Sequence, residues 1–369
     1  MGPEGIAGAP VAPAAGPGRF VALGDSLTEG LGDPLPGGGW RGWAALLAAA
    51  LGERPGSVQL VNLAFSGALA ADVAERQLPA AQELKPRFVS LVVGANDTLR
   101  AAFTIERVAA ALDRTHGVLS AGGAVVLTAC LPDPGRMLGL PGPLARPLAR
   151  RMRAVNTVVH AVSTRHGGVH LHLADHPWVA ERASWSVDRL HPSERGHRLL
   201  ARGFHTALAD AGVPVGPPPP LTLDGRPPTR TASALWMATK GTRWVADRCT
   251  DLLPGLLALA AQECRHALAG SGRLLDAAAD HATRSALAAL GPVSEVPSSA
   301  RRAGPAASGA CDGKAEGRPD TGRIGAGPTT QRACVPGVAG QAGLPTQALV
   351  AGTPPKDAGA VKGAATMAG

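Results

Sequence analysis

Residues 20–27 read Phe20-Val21-Ala22-Leu23-Gly24-Asp25-Ser26-Leu27. An unbroken apolar run meets a glycine, an acid and a hydroxyl. A run of that length closed by a turn residue fits a strand buried on both faces. The same texture returns at 58–63, 88–93, 124–128 and 169–173, each rich in Val and Leu and bounded by Gly, Pro or polar residues. The segments between them read as helices: 43–51, 68–78, 105–119 with Thr104 as N-cap, 144–164 with Pro147 in its first turn, and 193–208.

Strands alternating with helices, and apolar without a period of two, imply a parallel sheet covered on both faces. Right-handed crossovers leave few topologies for it. In such sheets ligands bind beyond the carboxyl ends of the strands. The residues directly after each run are therefore the ones to read for chemistry.

Ser26 stands on the turn leaving the first strand, where it is either a helix cap or an exposed nucleophile. Gly67 follows the second strand, either as a turn residue or as a backbone N–H brought close to a ligand. After the third strand comes Gly94-Ala95-Asn96-Asp97. Asn is rare in this chain, occurring only as Asn62, Asn96 and Asn156. The Asn96 carboxamide can donate to an oxyanion or cap a turn, and Asp97 reads as a structural cap. Past the fifth strand lies Asp188-Arg189-Leu190-His191-Pro192. A spacing of three lets the carboxylate bond one imidazole nitrogen while the other faces a serine; a surface Asp beside a capping His would look the same.

The ordered set Gly-Asp-Ser-Leu, a glycine after strand two, Gly-x-Asn-Asp and Asp-x-x-His resembles the SGNH hydrolases, the GDSL lipase/esterase family. The likeness spans roughly 18–212, and 188–197 is similar to bacterial members in particular. It implies a three-layer α/β/α, flavodoxin-like domain with a five-stranded parallel sheet. It also implies a serine hydrolase that cleaves carboxylic esters through an acyl-enzyme. In that scheme Ser26 is nucleophile, His191 base and Asp188 its orienter. The backbone N–H groups of Ser26 and Gly67 and the Asn96 amide form the oxyanion hole. No cofactor is implied, and the partner is a small ester or lipid. Transfer to an acceptor alcohol, or a non-catalytic glycan- or lipid-binding role, would use the same framework. Thr28 stands where the Gly-x-Ser-x-Gly elbow of α/β-hydrolases requires its second glycine.

Composition bounds the remaining readings. Tyr is absent, and Ala, Gly, Pro and Arg dominate, a pattern of GC-rich codons. The net charge of +8 comes mostly from scattered Arg, without the clustering or aromatic interleaving of a nucleic-acid face. Five cysteines at wide spacing argue against a disulfide framework and against a structural zinc site. His170 and His172 alternate on strand five with His176 nearby, but no carboxylate or cysteine cluster accompanies them in sequence. They read as ordinary strand residues, and no metal is expected.

The start of the chain lacks a basic segment and an apolar core, so it does not read as a secretory signal. The apolar stretch 252–261 is too short to span a bilayer. A cytoplasmic protein is the expectation. The expected organisation is a flexible segment at 1–17, the hydrolase domain at 18–212, and a Pro-rich linker with a Trp-containing helical extension at 213–298. The stretch 299–369 reads as a disordered tail or a shifted reading frame. Trp236, Lys240 and Trp244 share a helical face that would pack on the domain or touch a membrane surface through 236–261.

Overall fold

Each of the five apolar runs is a strand in the computed structural model, which describes residues 18–52, 57–224 and 242–291. They are β1 (Gly18–Gly24), β2 (Val58–Asn62), β3 (Phe88–Val92), β4 (Val125–Ala129) and β5 (Val169–Leu171). All pairings are parallel. The order is β2-β1-β3-β4-β5, the flavodoxin-like arrangement. β3, in the centre, is buried along its whole length, whereas the edge strands β2 and β5 are only partly so.

The helices are α1 (Ser26–Glu29), α2 (Gly42–Ala50), α3 (Ala70–Asp72), α4 (Leu78–Glu83), α5 (Ala95–Leu99), α6 (Ile105–Ala121), α7 (Pro134–Met137), α8 (Gly142–Arg165) and α9 (Glu194–Asp210). α2 and α9 cover one face, where Trp43 stacks on Phe204 with ring centroids 4.7 Å apart. α6 and α8 cover the other. The helix expected at 68–78 is instead composite, with a π-helical turn (Val73–Gln77) joining α3 to α4. An inserted residue of this kind redirects the side chains that follow it. Here it aims buried Gln77 at the end of β1. Gly24 N donates to Gln77 Oε1 (2.9 Å), and Gln77 Nε2 donates to Gly24 O (2.8 Å). Gly24 has φ +149°, and a Cβ there would sit 2.2 Å from Val92 O, so only glycine fits.

The chain does not leave the domain at the expected boundary of 212. Val215 bridges to Leu51, and Gly216 N donates to Ala50 O at 2.9 Å. Prolines lack an N–H, but their carbonyls still accept, and Pro220 O takes a bond from Arg198 (3.0 Å). Two further helices, α10 (Thr242–Leu268) and α11 (Gly272–Ala289), pack outside α8 and α6. Arg150 of α8 joins both, at 3.1 Å from Glu263 and 2.8 Å from Asp276. Among the described residues, no helix is long and apolar enough to cross a membrane. Segments 1–17 and 299–369, together with Trp236 and Lys240, lie outside the described residues.

Replacing Gln77 by Leu strands two buried backbone groups of Gly24, each worth about 1–3 kcal/mol when unpaired. Gln77→Leu is therefore expected to lose about 2–5 kcal/mol in urea denaturation; a change under about 0.5 kcal/mol would contradict this role.

His197 generates a second prediction. Its Nε2–H donates to Leu31 O (2.9 Å), and its Nδ1 accepts from Trp43 N–H (3.2 Å). A proton added at Nδ1 would face another proton. Burial lowers its pKa from 6.5 to about 4. Between those values the unfolded chain binds more protons than the folded one, so stability falls as pH drops through the window. His197→Gln removes this component. The stability advantage of the native chain over the variant should shrink by on the order of 2 kcal/mol on going from neutral to about pH 4. A pH-independent difference would overturn the assignment.

Candidate active site

The carboxyl ends of β1, β2 and β3 deliver Ser26, Gly67 and Asn96 to one edge of the sheet, and the loop before α9 brings Asp188 and His191 to meet them. The five residues read as the catalytic and oxyanion set all reach this edge. Ser26, Gly67, Asn96 and His191 line one pocket, and Asp188 stands directly behind His191.

Ser26 is held by its neighbours on both sides. Asp25 caps α1, its Oδ1 accepting from Leu27 N (3.1 Å). The hydroxyl of Ser26 lies 2.7 Å from His191 Nε2. His191 Nδ1 lies 2.6 Å from Asp188 Oδ2. The other oxygen of Asp188 accepts from Ser186 Oγ (2.6 Å), Leu190 N (2.9 Å) and His191 N (3.0 Å). Burial alone would raise this carboxyl, but its bonds to His191 and Ser186 outweigh burial and hold it well below the usual carboxylate range. The turn that carries the pair is tight. Ser186 N donates to His191 O (2.8 Å), and Arg189 takes a left-handed φ of +61° to close it. Ser186 was not evident from the sequence, since a serine two residues before an aspartate has many other uses.

Gly67 has φ +83°, a conformation that favours glycine. Among the described residues, the N–H groups of Ser26 and Gly67 have no hydrogen-bond acceptor. The amide of Asn96 is already engaged: Nδ2 donates to Asp25 Oδ2 (3.1 Å) and to Ala68 O (3.2 Å). Burial raises the Asp25 carboxyl to about 6, although the Leu27 N–H and the charge of His191 oppose it. Asp97 accepts from Ala70 N (3.1 Å), the capping role expected of it, and burial lifts it to about 6 as well.

The pocket wall is mainly apolar. Leu131, Pro132, Pro134 and Met137 come from the loop after β4, and Trp178 and Trp185 from the segment before Asp188. Trp185 Nε1 donates to Val179 O (2.8 Å), which satisfies its one polar atom and turns its ring to the pocket.

A model of the GDSL-like lipase/acylhydrolase family matches residues 22–199. No curated protein matches the sequence. A lipase/acylhydrolase structure from Enterococcus faecalis is 20% identical, with 54% of this chain and 98% of that chain covered and a TM-score of 0.43. An acetylxylan esterase from Geobacillus stearothermophilus is 22% identical, with 53% and 96% covered and a TM-score of 0.41. A psychrotrophic esterase from Pseudoalteromonas sp. is 16% identical, with 52% and 97% covered and a TM-score of 0.40. Over residues 22–199, just under half of its length, this chain is similar to the GDSL-like lipase/acylhydrolase family.

Proposed function

We propose that the protein hydrolyses carboxylic esters through an acyl-enzyme on Ser26. The observation that carries this reading is the continuous relay from Asp188 to His191 to Ser26, opening onto an apolar pocket. Neutral His191 takes the proton of Ser26 Oγ as that oxygen bonds to the ester carbonyl carbon. Asp188 stays ionised throughout, fixes the imidazole and favours its cation. Expulsion of the alcohol takes the proton from His191 Nε2. A water activated by the same imidazole then releases the acid and restores the serine.

The charge that develops on the carbonyl oxygen needs donors in place before it forms. The N–H groups of Ser26 and Gly67 meet that requirement without breaking a bond. Asn96 serves as the third donor by exchanging its bond to Ala68 O for one to the oxyanion, while Asp25 keeps the amide oriented. The leucines, prolines, Met137 and tryptophans of the wall suit the acyl chain, which needs burial and no polar contact.

The test is a series of p-nitrophenyl esters from acetate to palmitate. The native chain should hydrolyse at least the shorter members, and Ser26→Ala should lower kcat by about 10⁴-fold while its thermal unfolding stays cooperative. Equal activity in the variant would reject Ser26 as nucleophile.

A further inference from the structure

A second cluster lies at the other side of the sheet's active edge. Among the described residues, Cys130, His170 and His172 form a group whose ligand atoms all lie within 4.8 Å of one another. The register explains why. Thr128 pairs with His170 and Ala129 with Leu171, so Cys130 falls beside His172. Alternate residues on a strand share a face, which puts Thr128, Cys130, His170 and His172 together on the side covered by α8. From α8, His160 adds a third imidazole, its ring centroid 5.0 Å from that of His170 and 5.3 Å from that of His172. His176, the third histidine expected nearby from sequence, is elsewhere, against Trp178 at 5.7 Å.

The hydrogen bonding of this cluster is incomplete. His170 Nδ1 lies 2.9 Å from Thr128 Oγ1, but His170 Nε2 is buried without a partner. A buried polar atom left unpaired is costly and calls for an explanation. Cys130 Sγ makes a long contact, 3.7 Å to Leu171 O.

We infer that Cys130, His170 and His172, with His160 as the fourth ligand, form a binding site for a divalent transition-metal ion of the zinc class. One thiolate and imidazole nitrogens make a donor set for zinc, cobalt or nickel rather than for magnesium or calcium. With Nδ1–H of His170 donating to Thr128 Oγ1, its Nε2 presents a lone pair to the ion. A hydrogen bond on the far nitrogen is the usual orienting arrangement for a ligating histidine. Tetrahedral bonds of about 2.0–2.3 Å require the ligand atoms to close in from their present spacing. The exposed side chains of His172 and His160 have the rotamer freedom to do so. On binding, Cys130 Sγ gives its proton to solvent as the sulfur–metal bond forms, and the imidazoles bind as neutral ligands.

The ion would tie β4, β5 and α8 together directly behind the pocket, because Leu131 and Leu173 of its wall each follow a ligand in sequence. The site is separate from Ser26 and does not depend on the ester-hydrolase reading.

The test uses the full chain, free of any histidine tag and kept reduced, titrated with zinc by calorimetry and with cobalt(II) by absorption. One ion per chain is expected, with a thiolate-to-cobalt charge-transfer band in the near ultraviolet and a higher Tm on zinc addition. Cys130→Ser should remove the band, and His172→Ala should weaken zinc binding by at least about tenfold. Ser26→Ala should leave both unchanged. His172 is exposed, so its replacement keeps the test informative if the cysteine variant folds poorly. Absence of the band and of zinc binding in the native chain would overturn the proposal. So would zinc binding of the same strength in folded His172→Ala.

Discussion

In a parallel sheet every strand ends at the same edge, so successive crossovers return each following loop to one line. Ser26, Gly67 and Asn96 are spread over seventy residues of sequence, yet they need no special long-range device to meet. The ends of β1, β2 and β3 are neighbours because the strand order makes them neighbours. Only Asp188 and His191 come from outside the sheet. They are brought in by a turn whose own hydrogen bonds, between Ser186 and His191 and between Ser186 and Asp188, fix it before any substrate arrives. The distance that matters, 2.7 Å from His191 to Ser26, is set by the docking of this turn onto the sheet edge.

Polar groups buried at the edge form one connected set. Gln77 clamps both backbone groups of Gly24, the last residue of β1. Asp25 then caps α1 and holds Asn96, while Asp97 caps α3. The two buried carboxyls at Asp25 and Asp97 are pushed up to about 6 because neither has a cationic partner strong enough to offset burial. Asp188 is the contrast. It is buried too, but its histidine and hydroxyl partners keep it ionised. Three buried acids thus differ in how readily they ionise because of what they touch.

Most of this was legible in the sequence for a physical reason. Apolar runs closed by glycine mark strand ends, and strand ends are where a parallel sheet must put its chemistry. Gly24-Asp25-Ser26, Gly67, Gly94-x-Asn96 and Asp188-x-x-His191 were therefore readable in order. The rest depended on pairing across the fold. Gln77 reaches Gly24 only because a π turn redirects it. Segment 213–224 reads as a linker by its prolines, yet its carbonyls accept bonds from Arg198 and His205. His170 and His172 could be placed on one face from their alternation. Cys130 could not be added to them without the register of β4 against β5.

The central claim, that Ser26 is a nucleophile activated by His191, is tested most directly by its covalent chemistry. An alkyl fluorophosphonate reacts with an activated serine and expels fluoride, which leaves a stable adduct visible in the intact mass and locatable by peptide mapping. The native chain should gain a single adduct, on Ser26, and folded His191→Ala should gain none over the same time. An adduct elsewhere, or labelling of His191→Ala at the native rate, would contradict the account.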